Sequence, residues 1–229
     1  MRSVSLLSLG AAGLCGLLTL GASAQPGVTT LPLVLNTAEV DGRPVVTRRW
    51  MREQVANANT LFRPHRVAFE VHARHAIDGS HARLENRVDR HLLGHLLHPQ
   101  RIDVFFVESL RDVDEPERYR QGVHWRPRGE AYPERAHFVI VSSIAGPTVL
   151  AHELGHYFGN GHSDVPGNIM CYERGDVPPF FDETQGARIR FSLRRFLRDA
   201  ELVRAEDAAA ASRNSASGDQ GDVDQAADR

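Results

Sequence analysis

Residues 152 to 162 read H-E-L-G-H-Y-F-G-N-G-H and constrain the chain more than any other stretch. His152 and His156 are four apart, so on a helix they project from one face and can reach a common ion. Glu153 stands beside them, close enough to touch a water held there without being a ligand itself. Gly159 can take a positive φ, end the helix and let the chain turn back, bringing His162 in as a third imidazole. Three histidines with a fourth position open describe a catalytic zinc site rather than a structural one. Any fold for this chain must therefore present a short helix and a tight return loop to one cleft.

The 229-residue length suits one medium domain with extensions, and 41% hydrophobic residues is enough for a single core. A formal net charge of −2 gives no reason to expect nucleic acid as a partner. All 27 cationic residues are arginine, which reads as compositional bias.

Residues 1–24 read as a cleaved signal peptide. Arg2 is followed by an apolar run from Leu6 to Leu20, then by Ala22-Ser23-Ala24 as a small-residue processing site. The product is expected to be secreted or periplasmic, with no membrane association after cleavage. Cleavage removes Cys15 and leaves Cys171 alone, so no intramolecular disulfide forms. The catalytic domain is expected over 25–204, and the Ala/Ser/Gly/Asp-rich stretch 205–229 as an acidic disordered tail.

Within the domain, Thr30 to Asn36 reads as a strand and Thr47 as the N-cap of a helix over 48–62, closed by Pro64. Alternation at Val67, Phe69 and Val71 predicts a second strand. Spacing of four at Leu84, Val88, Leu92 and Leu96 predicts a helix over 82–98. Strands follow at Ile102 to Val107, at an edge segment Gly122 to Trp125, and at His137 to Ser142. Gly146-Pro147 opens the histidine helix. A last helix over 183–204 is expected to turn Phe191, Phe196, Leu197 and Leu202 inward. This order predicts an α/β (α+β) domain: a mixed, mostly parallel, five-stranded twisted sheet with an active-site helix and a C-terminal helix.

The stretch from His152 to His162 matches H-E-x-x-H-x-x-G-x-x-H at every fixed position, and in this it resembles the metzincin zinc peptidases. Asn168-Ile169-Met170 is similar to that family's Met-turn, and its short distance from His162, with Ser163 directly after the histidine, resembles the matrixin branch. Tyr172, two residues past Met170, is similar instead to astacins and serralysins, where such a tyrosine helps to stabilise the oxyanion. The resemblance covers roughly residues 29–203, with specific motif evidence only in 152–172. It implies one catalytic zinc on His152, His156 and His162, with Glu153 as general base and then acid. It also implies Tyr172 as a second catalytic group and Met170 and Gly159 as structural supports. Zinc held by neutral imidazoles keeps its double charge and lowers the pKa of a coordinated water to about 7.

Two departures from the matrixin pattern stand out. No cysteine lies between Gln25 and the first strand to block the zinc, and no ligand run between Ile102 and His137 predicts structural calcium or a second zinc.

The expected activity is hydrolysis of a polypeptide bound as an extended strand on Gly122 to Trp125, by a monomer. Tyr172 to Phe181 would form the wall of the pocket beyond the cleaved bond. A zinc aminopeptidase, a hydrolase of non-protein amides, and an inactive zinc-binding interaction module remain as alternatives. His91, His95 and His98 could together hold a metal or sit separately on a helix surface, and Cys171 is expected as a buried thiol. The arginines at 188, 190, 194, 195 and 198 fit a solvated helix face better than a nucleic-acid surface, since no aromatics interleave them.

Overall fold

The structure is a computed structural model that describes residues 27–173, 175 and 177–219. The proposed signal peptide and residues 220–229 lie outside the described residues. The main sheet is built from β1 (Thr29–Val40), β2 (Arg43–Pro44), β3 (Val67–Ile77), β5 (Ile102–Val107), β7 (Gly122–Trp125) and β8 (Phe138–Ser142). Across it the order is β3-β1-β5-β8-β7, and the two-residue β2 folds back antiparallel on the end of β1. The pairs β1–β3, β1–β5 and β5–β8 are parallel, whereas β7 is antiparallel to β8 and leaves one edge open. Counting β2, the sheet has six strands rather than the five expected, because Asp41-Gly42 makes a tight hairpin instead of merely ending β1.

Parallel strands need crossovers, which cover both faces of the sheet and require side chains buried on both. The central strands meet that demand. In β5, Ile102, Val104 and Phe106 join one core, while Phe105 and Val107 join the other; in β8 the division is Val139 and Val141 against Phe138 and Ile140. The larger core lies beneath α1 (Arg48–Phe62), α3 (Val149–Tyr157) and α4 (Glu183–Arg198). The smaller one lies on the opposite face, under β4 (Arg83–Leu84), β6 (Ser109–Leu110) and the 3-10 turn Leu93–Leu96 that follows α2 (Arg87–Leu92).

Helix α1 follows its sequence pattern. Thr47 Oγ1 accepts from the Trp50 amide at 3.2 Å, and Val55, Ala58, Leu61 and Phe62 are buried. Other segments depart from expectation. The helix expected over 82–98 is three pieces: Leu84 sits in β4, which pairs with β6, then Asn86 caps the six-residue α2, and a 3-10 turn spans Leu93–Leu96. Asn86 and Asp89 form a capping box, which starts a helix at 87 and excludes one running through it. In α4 the buried stripe is Ile189, Leu193 and Phe196, at i, i+4 and i+7, while Phe191 projects from the other side and is 61% exposed.

The tail also differs from its expected disorder: Ala205–Asp219 forms α5, with Ala205 and Ala208 buried in contact with β1 and β3. Alanine offers little area to bury but has the highest helix propensity, and a flat alanine face lies close against a sheet edge. Among the described residues no helix is long and apolar enough to cross a membrane.

Candidate metal centre

Helix α3 starts against α1 rather than at Pro147. Gln54, buried on α1, donates from Nε2 to the Gly146 carbonyl at 2.9 Å and accepts the Leu150 amide on Oε1 at 3.1 Å. Thr148 is the cap residue but makes no side-chain capping bond, so this glutamine takes that part. At the other end Gly159 adopts φ +89°, and the Gly159 and Asn160 amides donate to the His156 and Gly155 carbonyls at 2.9 and 3.0 Å. The chain reverses there and returns His162 to the face that carries His152 and His156.

Two backbone carbonyls set the imidazole tautomers. His152 Nδ1 donates to the Ile169 carbonyl at 2.7 Å, and His156 Nδ1 donates to that of Asn160 at 2.8 Å. Both Nε2 atoms are then bare lone pairs, and His156 Nε2 lies 3.1 Å from His152 Nε2 and 3.1 Å from His162 Nε2. Burial lowers the pKa of all three rings, that of His156 to about 4, which keeps them neutral near pH 7. Unprotonated lone pairs facing each other repel unless a cation lies between them. Tetrahedral zinc with Zn–N of about 2.0–2.1 Å would separate its ligand nitrogens by about 3.4 Å, close to what is seen. The donor set fits zinc, and it is the single group of three or more His, Cys, Asp or Glu with metal-binding spacing among the described residues.

Glu153 lies next to this triad and is 6% exposed. Burial pushes its carboxyl up to about 8; the His124 amide and the Arg120 charge act in the opposite direction. Edge strand β7 runs directly over it. A Cβ on Gly122 would stand 2.7 Å from Val149 Cγ1 and 2.8 Å from Glu153 Cγ, so only glycine allows the strand this close. Gly122 was not singled out from the sequence, although a glycine opening an edge strand is a signal of close backbone approach.

Below the histidines, Met170 is fully buried, and a Cβ on Gly155 would meet its Sδ at 2.4 Å. Asn168 holds the Met170 loop in place. Its Oδ1 accepts from the Met170 amide at 2.9 Å, and its Nδ2 donates to Gln185 Oε1 on α4 at 2.9 Å. Tyr172 is 70% exposed at the rim, its hydroxyl 2.9 Å from His162 Nε2. The candidate residues thus converge, with Met170 beneath and Tyr172 at the mouth.

The other histidine cluster does not converge. His91 accepts from Trp125 Nε1 at 2.9 Å, His95 packs on Tyr132 with centroids 4.9 Å apart, and His98 pairs with Asp103 at 2.8 Å. Residues spaced for one helix face are scattered because α2 ends at Leu92. On α4, Arg190 pairs with Glu183, Arg195 with Glu201 and Arg198 with Asp199, as a solvated face would. Cys171 is a free, half-buried thiol rather than a fully buried one.

The centre opens into a cleft of about 750 Å³ that extends from His152 and Glu153 along β7 to Trp125 and Arg90.

No protein-family model matches the chain, and no curated protein sequence matches it. Solved structures do. Mature mirolysin from Tannerella forsythia, in complex with a cleaved peptide, superposes with a TM-score of 0.55 at 11% identity, covering 77% of this chain and 99% of that one. Metalloproteinase-II from Bacteroides fragilis gives a TM-score of 0.50 at 17% identity, over 74% of this chain and 55% of the other. The chain thus spans little more than half the length of that second protein. The chain shares its fold, a mixed α/β domain with a mostly parallel sheet, with these two proteins.

Proposed function

We propose that the chain is an exported zinc-dependent endopeptidase of metzincin type. The observation that carries this reading is the meeting of three imidazole Nε2 atoms beside the Glu153 carboxyl, under an open strand edge. Zinc held by His152, His156 and His162 would supply a Lewis acid that polarises the scissile carbonyl and acidifies the attacking water.

The remaining work falls to the chain's own groups. Glu153 takes the proton from the attacking water on a carboxylate oxygen and returns it to the leaving nitrogen. Its buried position leaves it a proton acceptor of raised affinity, suited to holding that proton between the two steps. The free edge of β7 offers backbone N–H and C=O groups to a peptide laid alongside it, which aligns the bond with Glu153. Tyr172, whose hydroxyl lies at the rim 2.9 Å from His162 Nε2, would donate to the carbonyl oxygen as charge develops there. Met170, in the position of a Met-turn, supports the histidines from below through its contact with Gly155.

A peptide substrate is supported by the mirolysin neighbour, which holds a cleaved peptide. The matrixin-like spacing from His162 to Met170 and the tyrosine at 172 place the chain between metzincin branches. Export rests on the pattern of Arg2, Leu6 to Leu20 and Ala22-Ser23-Ala24.

The test is digestion of casein by zinc-loaded protein. Cleavage that a chelator abolishes and zinc restores is expected, and Glu153→Ala should keep its zinc while losing about 10²–10⁴-fold in rate. Full turnover by the zinc-loaded variant removes Glu153 from its role. Hydrolysis of small amides but of no polypeptide favours a non-protein amide hydrolase, and zinc binding without any turnover favours an interaction module.

A further inference from the structure

The far end of the cleft carries a charge that the hydrolytic machinery does not use. Four guanidinium groups line the cleft, Arg87, Arg90, Arg118 and Arg120, of which Arg120 lies nearer Glu153. Three of them have a carboxylate partner, Arg87 with Asp114, Arg118 with Glu115 and Arg120 with Asp112. Arg90 has none within ion-pair distance among the described residues.

Arg90 is also the least accessible of the four, 3% exposed, lodged on α2 with its guanidinium 4.8 Å from the Trp125 ring centroid. Its Nη2 donates to the Arg111 carbonyl, and its Nε has no partner at all. Burial lowers its pKa to about 10, so it stays cationic at neutral pH. Asp112 and Asp114 act on it only at longer range, so this buried cation has no ion-pair contact, and a donor left unmatched adds to the cost. A guanidinium held over an indole at the lining of the cleft is positioned to meet a carboxylate that reaches it from there.

Its position sets where such a carboxylate comes from. Gly122 lies over Glu153, and Trp125 is three residues further along β7, about 10 Å at strand rise. Val123 and Trp125 face away from α3, on the side of the smaller core, where α2 also packs. A peptide paired antiparallel to β7 with its scissile bond at Glu153 would reach Trp125 about three residues before that bond. A side chain there that points to the α2 side meets Arg90.

We propose that Arg90, braced by Trp125, is an acidic subsite that selects substrates with aspartate or glutamate about three residues N-terminal to the cleaved bond. The proposal rests on the peptidase reading above. Arg87, Arg118 and Arg120 add long-range attraction that Asp112, Asp114 and Glu115 largely offset, so selection is local to Arg90 rather than a general preference for acidic chains.

The experiment uses two fluorescent octapeptides that differ only in glutamate against glutamine at that position, with the full chain loaded with zinc. Cleavage of the glutamate peptide should show a kcat/KM at least tenfold higher at low salt, with the difference falling to under twofold in Arg90→Gln. Equal cleavage of the two peptides by the wild-type protein overturns the proposal, as does a preference that survives in Arg90→Gln. Should Arg90→Gln fail to fold, the peptide pair on the wild-type protein still decides, because the change is made in the ligand. Should no peptide be cleaved, the peptidase reading has failed, and binding of the pair to the same protein by anisotropy tests the subsite separately: equal affinities overturn it, and tighter binding of the glutamate peptide supports it.

Discussion

Replacing Gly155 by alanine adds one methyl group where Met170 already lies. The new Cβ would stand 2.4 Å from Met170 Sδ, 3.1 Å from Phe181 Cε1 and 3.3 Å from Met170 Cε. Unstrained contacts of this kind lie near 3.5–4.0 Å, so the sulfur must retreat by more than about 1 Å. Met170 is fully buried and Phe181 is 7% exposed, so neither has solvent to move into. Overpacking of this sort costs about 1–3 kcal/mol. Against it stands the gain from putting alanine for glycine inside a helix, up to about 1 kcal/mol. With the full gain the net loss is about 0–2 kcal/mol, or up to about 8 °C in melting temperature for a domain of this size. Met170→Ala by itself should cost about 2–5 kcal/mol through the cavity it leaves. In the double variant the two changes partly cancel, since the methyl enters the space the thioether vacates. Calorimetric melts of the four proteins measure the coupling. A Gly155→Ala protein that melts higher than wild type, or a double variant whose loss is the plain sum, would refute the close contact between α3 and the Met170 loop.

Tyr172→Phe removes a hydroxyl that is exposed at the rim, so its loss should lower kcat by about tenfold, below the 10²–10³ typical of an enclosed oxyanion donor, and leave KM little changed. An unaltered kcat would make the ring a packing element. Acid should unfold the protein through a buried pair, His124 and His137, whose rings share a hydrogen bond of 2.9 Å and whose pKa values fall to about 3 and about 2 by burial. Their folded values lie below the unfolded 6.5, so the unfolded chain binds more protons between those limits. Stability is therefore full above pH 6.5 and falls as pH drops through 6 and 5 toward 3. Urea midpoints measured across that range should decline, and His137→Phe should decline less steeply; a flat profile would contradict the burial of the pair.

Much of the site was legible because it is local. The spacing of His152, Glu153 and His156 is a one-turn relation, and Gly159 has the residue type that a positive φ requires. Strands such as Ile102–Val107 were equally plain, since a run buried on both faces needs no knowledge of its neighbours. What failed was decided at long range. Leu84 fits a helical spacing with Val88 and Leu92, yet its backbone pairs with Leu110, and that ladder outweighs periodicity. Phe191 was expected inside for its size, although Ile189, Leu193 and Phe196 already mark the inward stripe. The alanines of α5 were judged on the area they bury and not on their propensity. Arg90 could not have been found, because its isolation depends on α2, β7 and the Asp112 loop meeting in space.

The bond from His152 Nδ1 to the Ile169 carbonyl joins two parts that carry different duties. The Ile169 amide in turn donates to the Phe180 carbonyl at 2.8 Å. Ile169 thus links the metal-ligand candidate His152 to the loop that ends at Phe180. A ligand that orders residues 169–180 and thereby tightens metal binding at His152 would itself be bound tighter, by the same factor, when the metal is present. Changes of side-chain preference made through residues 169–180 would therefore appear as changes in metal affinity, and the two properties could not drift apart independently.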